Sequence, residues 1–384
     1  ASVTGGATGI LVSNKGAGAT SITATGTVTG NTTAGIYAKN DVGTDITIEA
    51  VSVSGNTDGI FLSNDGTGTN SVTVTGTVTG GSGVAREGID TRGGAATVST
   101  VTLNSGAAVS AASGTAILND EGIANVTVNS GAGVTGAINL GDGADSITFN
   151  GGDFSAVTSF DGGLGAGDSL TFKGVTGTVA GGNVTGMESV VVDTGSDMTF
   201  SGTLSTGQLT ATNTGSGALK VTSTGTVTGT TGDGINAENS LGTTSLTVSA
   251  GAVTGAIYGI KAVNRGSGGA TSVTATGTVT GSGDDGVFVR GFAATTSTSV
   301  LTGAVNGAVR GISATSTGSG TMSVTSAGTV TGTTSHGIFV NGTSGTNVTV
   351  SAAAVSGGTY GLFAINGGSG FLSVTATGSV TGTS

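Results

Sequence analysis

The sequence predicts an all-β fold: a right-handed parallel β-solenoid (β-helix) with about three short strands in each coil of ~25 residues. Three observations predict it. Near-identical decapeptides recur, from SITATGTVTG ending at Gly30 to SVTATGSVTG ending at Gly382. The valine of each GTVTG-like pentapeptide forms two series: Val28, Val53, Val78, Val109 and Val134, then Val227, Val253, Val279, Val305, Val330, Val355 and Val380. Its steps are 25 or 26 residues, apart from one of 31. A glycine followed by Ile, Val or Leu keeps pace with it: Gly9, Gly35, Gly59 and Gly88, then Gly234, Gly259, Gly286, Gly311, Gly337 and Gly361.

Within a coil such as 333–357, the runs GIFVN, NVTVSA and AAVSG are each bounded by Gly, Asn, Ser or Thr and are too short for helices. One coil cannot bury its apolar face alone, but a stack at about 4.8 Å per coil buries a continuous core, in a rod on the order of 70 Å long. In the first strand, residues one and three after the anchor glycine are expected to point inward: Ile10 and Val12, Ile36 and Ala38, Ile60 and Leu62, Val287 and Val289, Ile338 and Val340. In the second strand Val273 with Ala275, and Val348 with Val350, do the same, with Ser and Thr outward. The absence of Pro suits strands that donate every N–H to a neighbour, and the 78 glycines are expected to serve corners with positive φ. Five residues past the anchor stand Asn14, Asn40, Asn64, Asn239, Asn264 and Asn366, read as a stacked corner ladder in which each amide bonds its copy in the next coil.

Composition removes several functions. Without Cys there is no disulfide framework, thiolate catalysis or thiolate metal site. A net charge of −11 with singly scattered Lys and Arg argues against nucleic acid. No apolar run reaches the roughly 18 residues of a membrane-crossing helix. No signal peptide is visible and Ala1 is not an initiator Met, so a processed form or an excised segment is expected. ASVTG at the start reads as a lone third strand, and the final TS as the beginning of a further coil; neither end carries a capping repeat, which suits a cut segment or end-to-end stacking of copies.

The period breaks in the middle. The expected organisation is regular coils over 1–136, irregular coils interrupting the same solenoid over 137–206, and regular coils over 207–384. The interruption contains INLGDGADSITF, FDGGLGAGDSLTF and VTGMESVVVD. With the flanking coils, these stretches make the whole chain resemble the passenger domains of autotransporters, the secreted, haemagglutinin- or adhesin-like β-helices of Gram-negative outer-membrane proteins. That resemblance implies an extracellular location at the outer cell surface. GDGADSI also resembles the calcium β-roll nonapeptide, which makes Asp142, Asp145, Asp161 and Asp168 candidate calcium ligands. Leu140 stands where the motif needs its first glycine, and turn chemistry explains these residues without a metal. No cofactor other than calcium is suggested.

No catalytic constellation emerges. The single His336 occupies a position before the anchor glycine that elsewhere holds Thr8, Ala34, Asp58, Glu87, Asp233, Tyr258, Asp285, Arg310 and Tyr360, and is read as an exposed corner. The residue two after the anchor should face outward, and there stand Leu11, Tyr37, Phe61, Leu118, Phe288, Phe339 and Phe363, with Asn236, Lys261 and Ser313 as polar exceptions. Aromatic residues in a row on a solvent face mark a contact surface. The expectation is therefore a non-enzymatic structural and adhesive solenoid of the cell surface, which self-associates laterally or end to end, or binds surface glycans. The alternatives are a carbohydrate-active β-helical enzyme and a calcium-stabilised secreted module.

Overall fold

The computed structural model describes residues 1–82, 86–240, 242–266, 268–345 and 347–383. Ser384, in the terminal TS, lies outside them. The chain is a parallel β-solenoid with coils of about 25 residues and no α-helix among the described residues. It divides into two units: residues 1–175 with 183–188, and residues 176–182 with 189–384.

In the first unit, the strands Ile10–Asn14, Ile36–Asn40, Ile60–Asn64 and Ile89–Gly93 pair in parallel and in register. Ile10, Ile36, Ile60, Ile89, Ile117 and Ile138 therefore stack upon one another. A second column runs Ile22, Ile48, Val72, Val101, Val126, Ile147 and Leu170. The anchor valines form a third, Val28 to Val134. From Ile36 and Ile48 onward these column residues are almost fully buried, and each such side chain contributes about 1.5–3 kcal/mol.

The coils from 137 onward keep this pairing but change its filling. Val128 lies in register with Phe149, and Phe149 with Phe172. Phe149 and Phe172 stack with ring centroids 6.0 Å apart, and Phe154 and Phe160 pack edge-on against them. Rings fill a section that valines fill elsewhere.

The second unit repeats the plan. Its columns run Leu209, Ile235, Ile260, Val287, Ile312, Ile338 and Leu362; Met198, Val221, Val248, Val273, Val300, Val324 and Val350; and the valines from Val227 to Val380. The second and third runs of a coil often merge into one strand, as in Thr321–Gly332 and Val348–Gly357, with a register shift at the join.

Glycine does a different job from the one the sequence suggests. Among described residues 1–105 no glycine has positive φ, and beyond Gly217 only Gly268 does; the rest lie between Gly106 and Gly217. In the regular coils glycine is required by close approach. A Cβ at Gly35 would stand 2.4 Å from Cγ1 of Val53 and 2.8 Å from the carbonyl oxygen of Gly59. At Gly337 the corresponding distances, to Val355 and Gly361, are 2.4 and 2.6 Å. The anchor glycine and anchor valine recur together because they touch.

Gly35→Ala is accordingly expected to destabilise the first unit by about 1–3 kcal/mol through overpacking. Gly18→Ala, where an added Cβ meets nothing within 4 Å, should change stability by less than about 0.5 kcal/mol. Denaturant unfolding followed by circular dichroism compares the two; equal effects would contradict the close-approach reading.

Candidate functional site: an outward aromatic and arginine face

Because coils stack in register, a residue type repeated at one outward position becomes a row. In the second unit the register runs Asn236, Lys261, Phe288, Ser313, Phe339 and Phe363. Phe339 and Phe363 lie parallel, with centroids 5.8 Å apart and planes within 3°. Each of these rings is half-buried, and Phe288 and Phe339 stand between strand neighbours that are fully buried.

The residues before the anchor glycines join this face. His336 packs 5.5 Å from Phe339 and 5.4 Å from both Phe363 and Tyr360. Tyr258 lies 5.7 Å from Phe288, and the Arg310 guanidinium sits 5.6 Å from the Phe339 centroid. Rings and cations thus form two groups on this face, Tyr258 with Phe288, and Arg310 with Phe339, His336, Phe363 and Tyr360. Sequence reasoning treated that position as a tolerant corner; the recurrence there of Tyr258, Arg310, His336 and Tyr360 was the available signal. His336 is held below its usual pKa first by burial and then by the Arg310 charge, and its Nδ1 lies 2.6 Å from the Ser335 hydroxyl.

The first unit carries a shorter version. Tyr37 and Phe61 stack at 4.8 Å, the Arg92 guanidinium lies 5.1 Å from the Phe61 centroid, and Leu11 is 64% exposed. In register Phe61 is followed by Asp90 and then Leu118.

The expectation of an exposed corner is wrong for the acids. Asp58, Glu87, Asp233 and Asp285 are buried. Three of them accept a main-chain N–H from the following coil: Glu87 N–H to Asp58, Tyr258 N–H to Asp233 and Arg310 N–H to Asp285, at 3.0–3.2 Å. A carboxylate can be buried here because it satisfies an otherwise unpaired amide. Asp58, Glu87 and Asp90 each bring an oxygen within 4.8 Å of the others, the only group of three acids near enough to share an ion among the described residues. Arg92 answers Asp90 at 2.7 Å and Asp120 at 3.3 Å. Burial, then repulsion from Asp90, pushes Glu87 up to about 7; burial likewise pushes Asp90 up to about 6 despite Arg92.

The calcium candidates are placed differently from one another. Asp145 and Asp168 are buried and accept the N–H groups of Ala124 and Asp145 at 2.6 and 2.7 Å. Burial raises both their pKa values, that of Asp145 to about 6. Asp161 accepts the N–H of Gly163 at 3.1 Å, and Asp142 is exposed. No three of the four form a common ligand group among the described residues.

The asparagine row is in register, but its bonds run mainly across corners. Asn14, Asn264 and Asn366 each accept the N–H two residues on and donate to a carbonyl four to six residues on. Asn40 donates to Asp45, Asn64 to Thr44 and Asn239 to Ser245. Only Asn239 also reaches its copy, Asn264, at 3.5 Å. Corner carbonyls need partners and stand closer than the next amide does. Asn119 and Asn213, unremarked in the sequence, are buried at equivalent corners and donate to corner carbonyls in the same way.

Comparison with family models, curated proteins and solved structures finds no match for this chain. Among the described residues no helix is long and apolar enough to cross a membrane, which leaves membrane β-barrels unaddressed.

The acid cluster generates a signed pH dependence. An acid whose folded pKa lies above its unfolded value binds its proton more tightly when folded. Glu87 thus favours folding at low pH, and that stabilisation is lost as pH rises from about 4.5 through about 7. Hydrogen-exchange protection of Ile89–Gly93, corrected for intrinsic rates, should fall over this range, and Glu87→Gln should flatten the fall. An equal fall in the variant would exclude Glu87 as its source.

Proposed function

We propose that this chain is a non-enzymatic, structural and adhesive β-solenoid of the bacterial cell surface, and that the outward aromatic and arginine face of its second unit is the contact surface. The observation that carries this reading is the unbroken contact of Tyr360, Phe363, His336, Phe339 and Arg310 across successive coils. Single exposed apolar residues are ordinary, whereas contiguous rings on a solvated face are not. Aromatic residues and arginine also dominate the energetics of contact surfaces.

Surface glycans suit this face best. Ring faces accept the apolar face of a sugar, and the flanking Thr and Ser hydroxyls accept and donate at its rim. A second copy of the chain is the other partner such a row admits. The resemblance to autotransporter passenger domains supports the extracellular setting. The buried acids support a non-enzymatic role, since Asp58, Asp145, Asp168, Asp233 and Asp285 are bonded to main-chain amides.

The double variant Phe339→Ser, Phe363→Ser should lose at least about tenfold in retention on immobilised bacterial polysaccharide, as removal of hot-spot rings does, with its far-UV circular dichroism unchanged. Retention equal to the parent chain would overturn the reading. Incubation with a polysaccharide panel should release no reducing sugar; release that is lost with Asp145→Asn or Asp168→Asn would establish the enzymatic alternative.

A further inference from the structure

The row on the second unit has a gap. Ser313 occupies the register position between Phe288 and Phe339. Its neighbours Ile312 and Ala314 face the core and are fully buried, so Ser313 faces outward, yet it is only 1% exposed. It lies at the floor of a notch of about 270 Å³, whose walls include Phe288, Arg290, Arg310, Thr315 and Asn341. On the adjoining coils the same register position carries Phe288 and Phe339. The notch approaches the lower end of the size range for small-ligand sites, about 300 Å³.

Three features of this notch converge. The Ser313 hydroxyl is buried without a hydrogen-bond partner, a condition that native structures seldom leave unanswered. Arg310 is fixed by a 3.0 Å bond from Nε to Asp285 and by its place over Phe339. Arg290 lies 4.5 Å from the centroid of Phe292 and forms no ion pair among the described residues. Two guanidinium groups therefore line one notch that has no carboxylate among its lining residues, Arg310 being paired to Asp285 outside that lining, in a chain whose net charge is −11. The local field selects an anion, the Phe288 ring offers an apolar wall, and the hydroxyl and amide groups offer directional bonds.

We propose that the Ser313 notch is a subsite for one uronate residue of an acidic polysaccharide. The sugar carboxylate faces Arg290, and its ring lies along Phe288. This inference rests on the adhesive reading above and names the ligand class for one place on that face.

The test is calorimetric titration of the full chain with tri-galacturonate, a neutral galactose trisaccharide and sodium sulfate. Tri-galacturonate should bind, the neutral sugar at least about tenfold more weakly and sulfate not measurably, as expected where a charge-assisted bond adds to ring contact. Arg290→Gln should reduce tri-galacturonate affinity at least about tenfold. Ser313→Phe, which refills the gap, should abolish that binding. Equal affinity for the charged and neutral sugars, binding of sulfate as tight as that of the uronate, or undiminished binding by Ser313→Phe would each overturn the subsite. If those results accompany retention that still depends on Phe339 and Phe363, the adhesive reading survives. If the parent chain is retained on no polysaccharide, that reading fails as well.

Discussion

Every coil in this protein depends on a neighbour for its backbone hydrogen bonds. The short strands of a single coil, with almost no charge and few rings, cannot close a core by themselves. Pairing in parallel and in register places each Ile, Val or Ala over its equivalent about 25 residues away. Conformational entropy costs about 1–2 kcal/mol per residue, and only repetition of the same buried columns offsets it. That constraint accounts for the absence of Pro, for the coil length, and for the pairing of anchor glycine with anchor valine, whose atoms would collide if a Cβ were added.

The same constraint converts sequence repetition into surface function. A ring at one outward position would be a lone exposed residue in a globular domain; here it lies against the ring of the next coil, as Phe339 does against Phe363. A departure from the repeat is equally consequential. Ser313 between Phe288 and Phe339 leaves a notch, and Asp90 after Phe61 brings Arg92 into an ion pair. Chemistry in a stacked fold arises where one coil breaks the pattern of its neighbours.

Much of the architecture was legible in the sequence because period and alternation are one-dimensional signals. The anchor valines and glycines and the inward pairs such as Ile338 and Val340 stand where spacing put them. What was not legible depends on distances between coils. Gly35 and Gly337 looked like corner residues with positive φ, but Val53 and Val355 press against them. Asp233 and Asp285 looked like tolerated surface acids, although each caps an amide one coil on. The corner asparagines looked like a ladder, whereas most of them bond carbonyls of the turn itself. Spacing places a side chain on a face but does not say which unpaired main-chain group lies nearest. The candidate site divides in the same way: its rings were visible, but the cations and the notch needed the register between coils.

The central claim, that near-identical coils hold one another by in-register strand pairing, is tested most directly by amide hydrogen exchange read along the chain by mass spectrometry. The account predicts protection that rises and falls with a period of about 25 residues, high in strands such as Ile36–Asn40 and Ile338–Gly342 and low at the corners between them. Protection with no such period, or rapid exchange throughout the anchor strands, would contradict it.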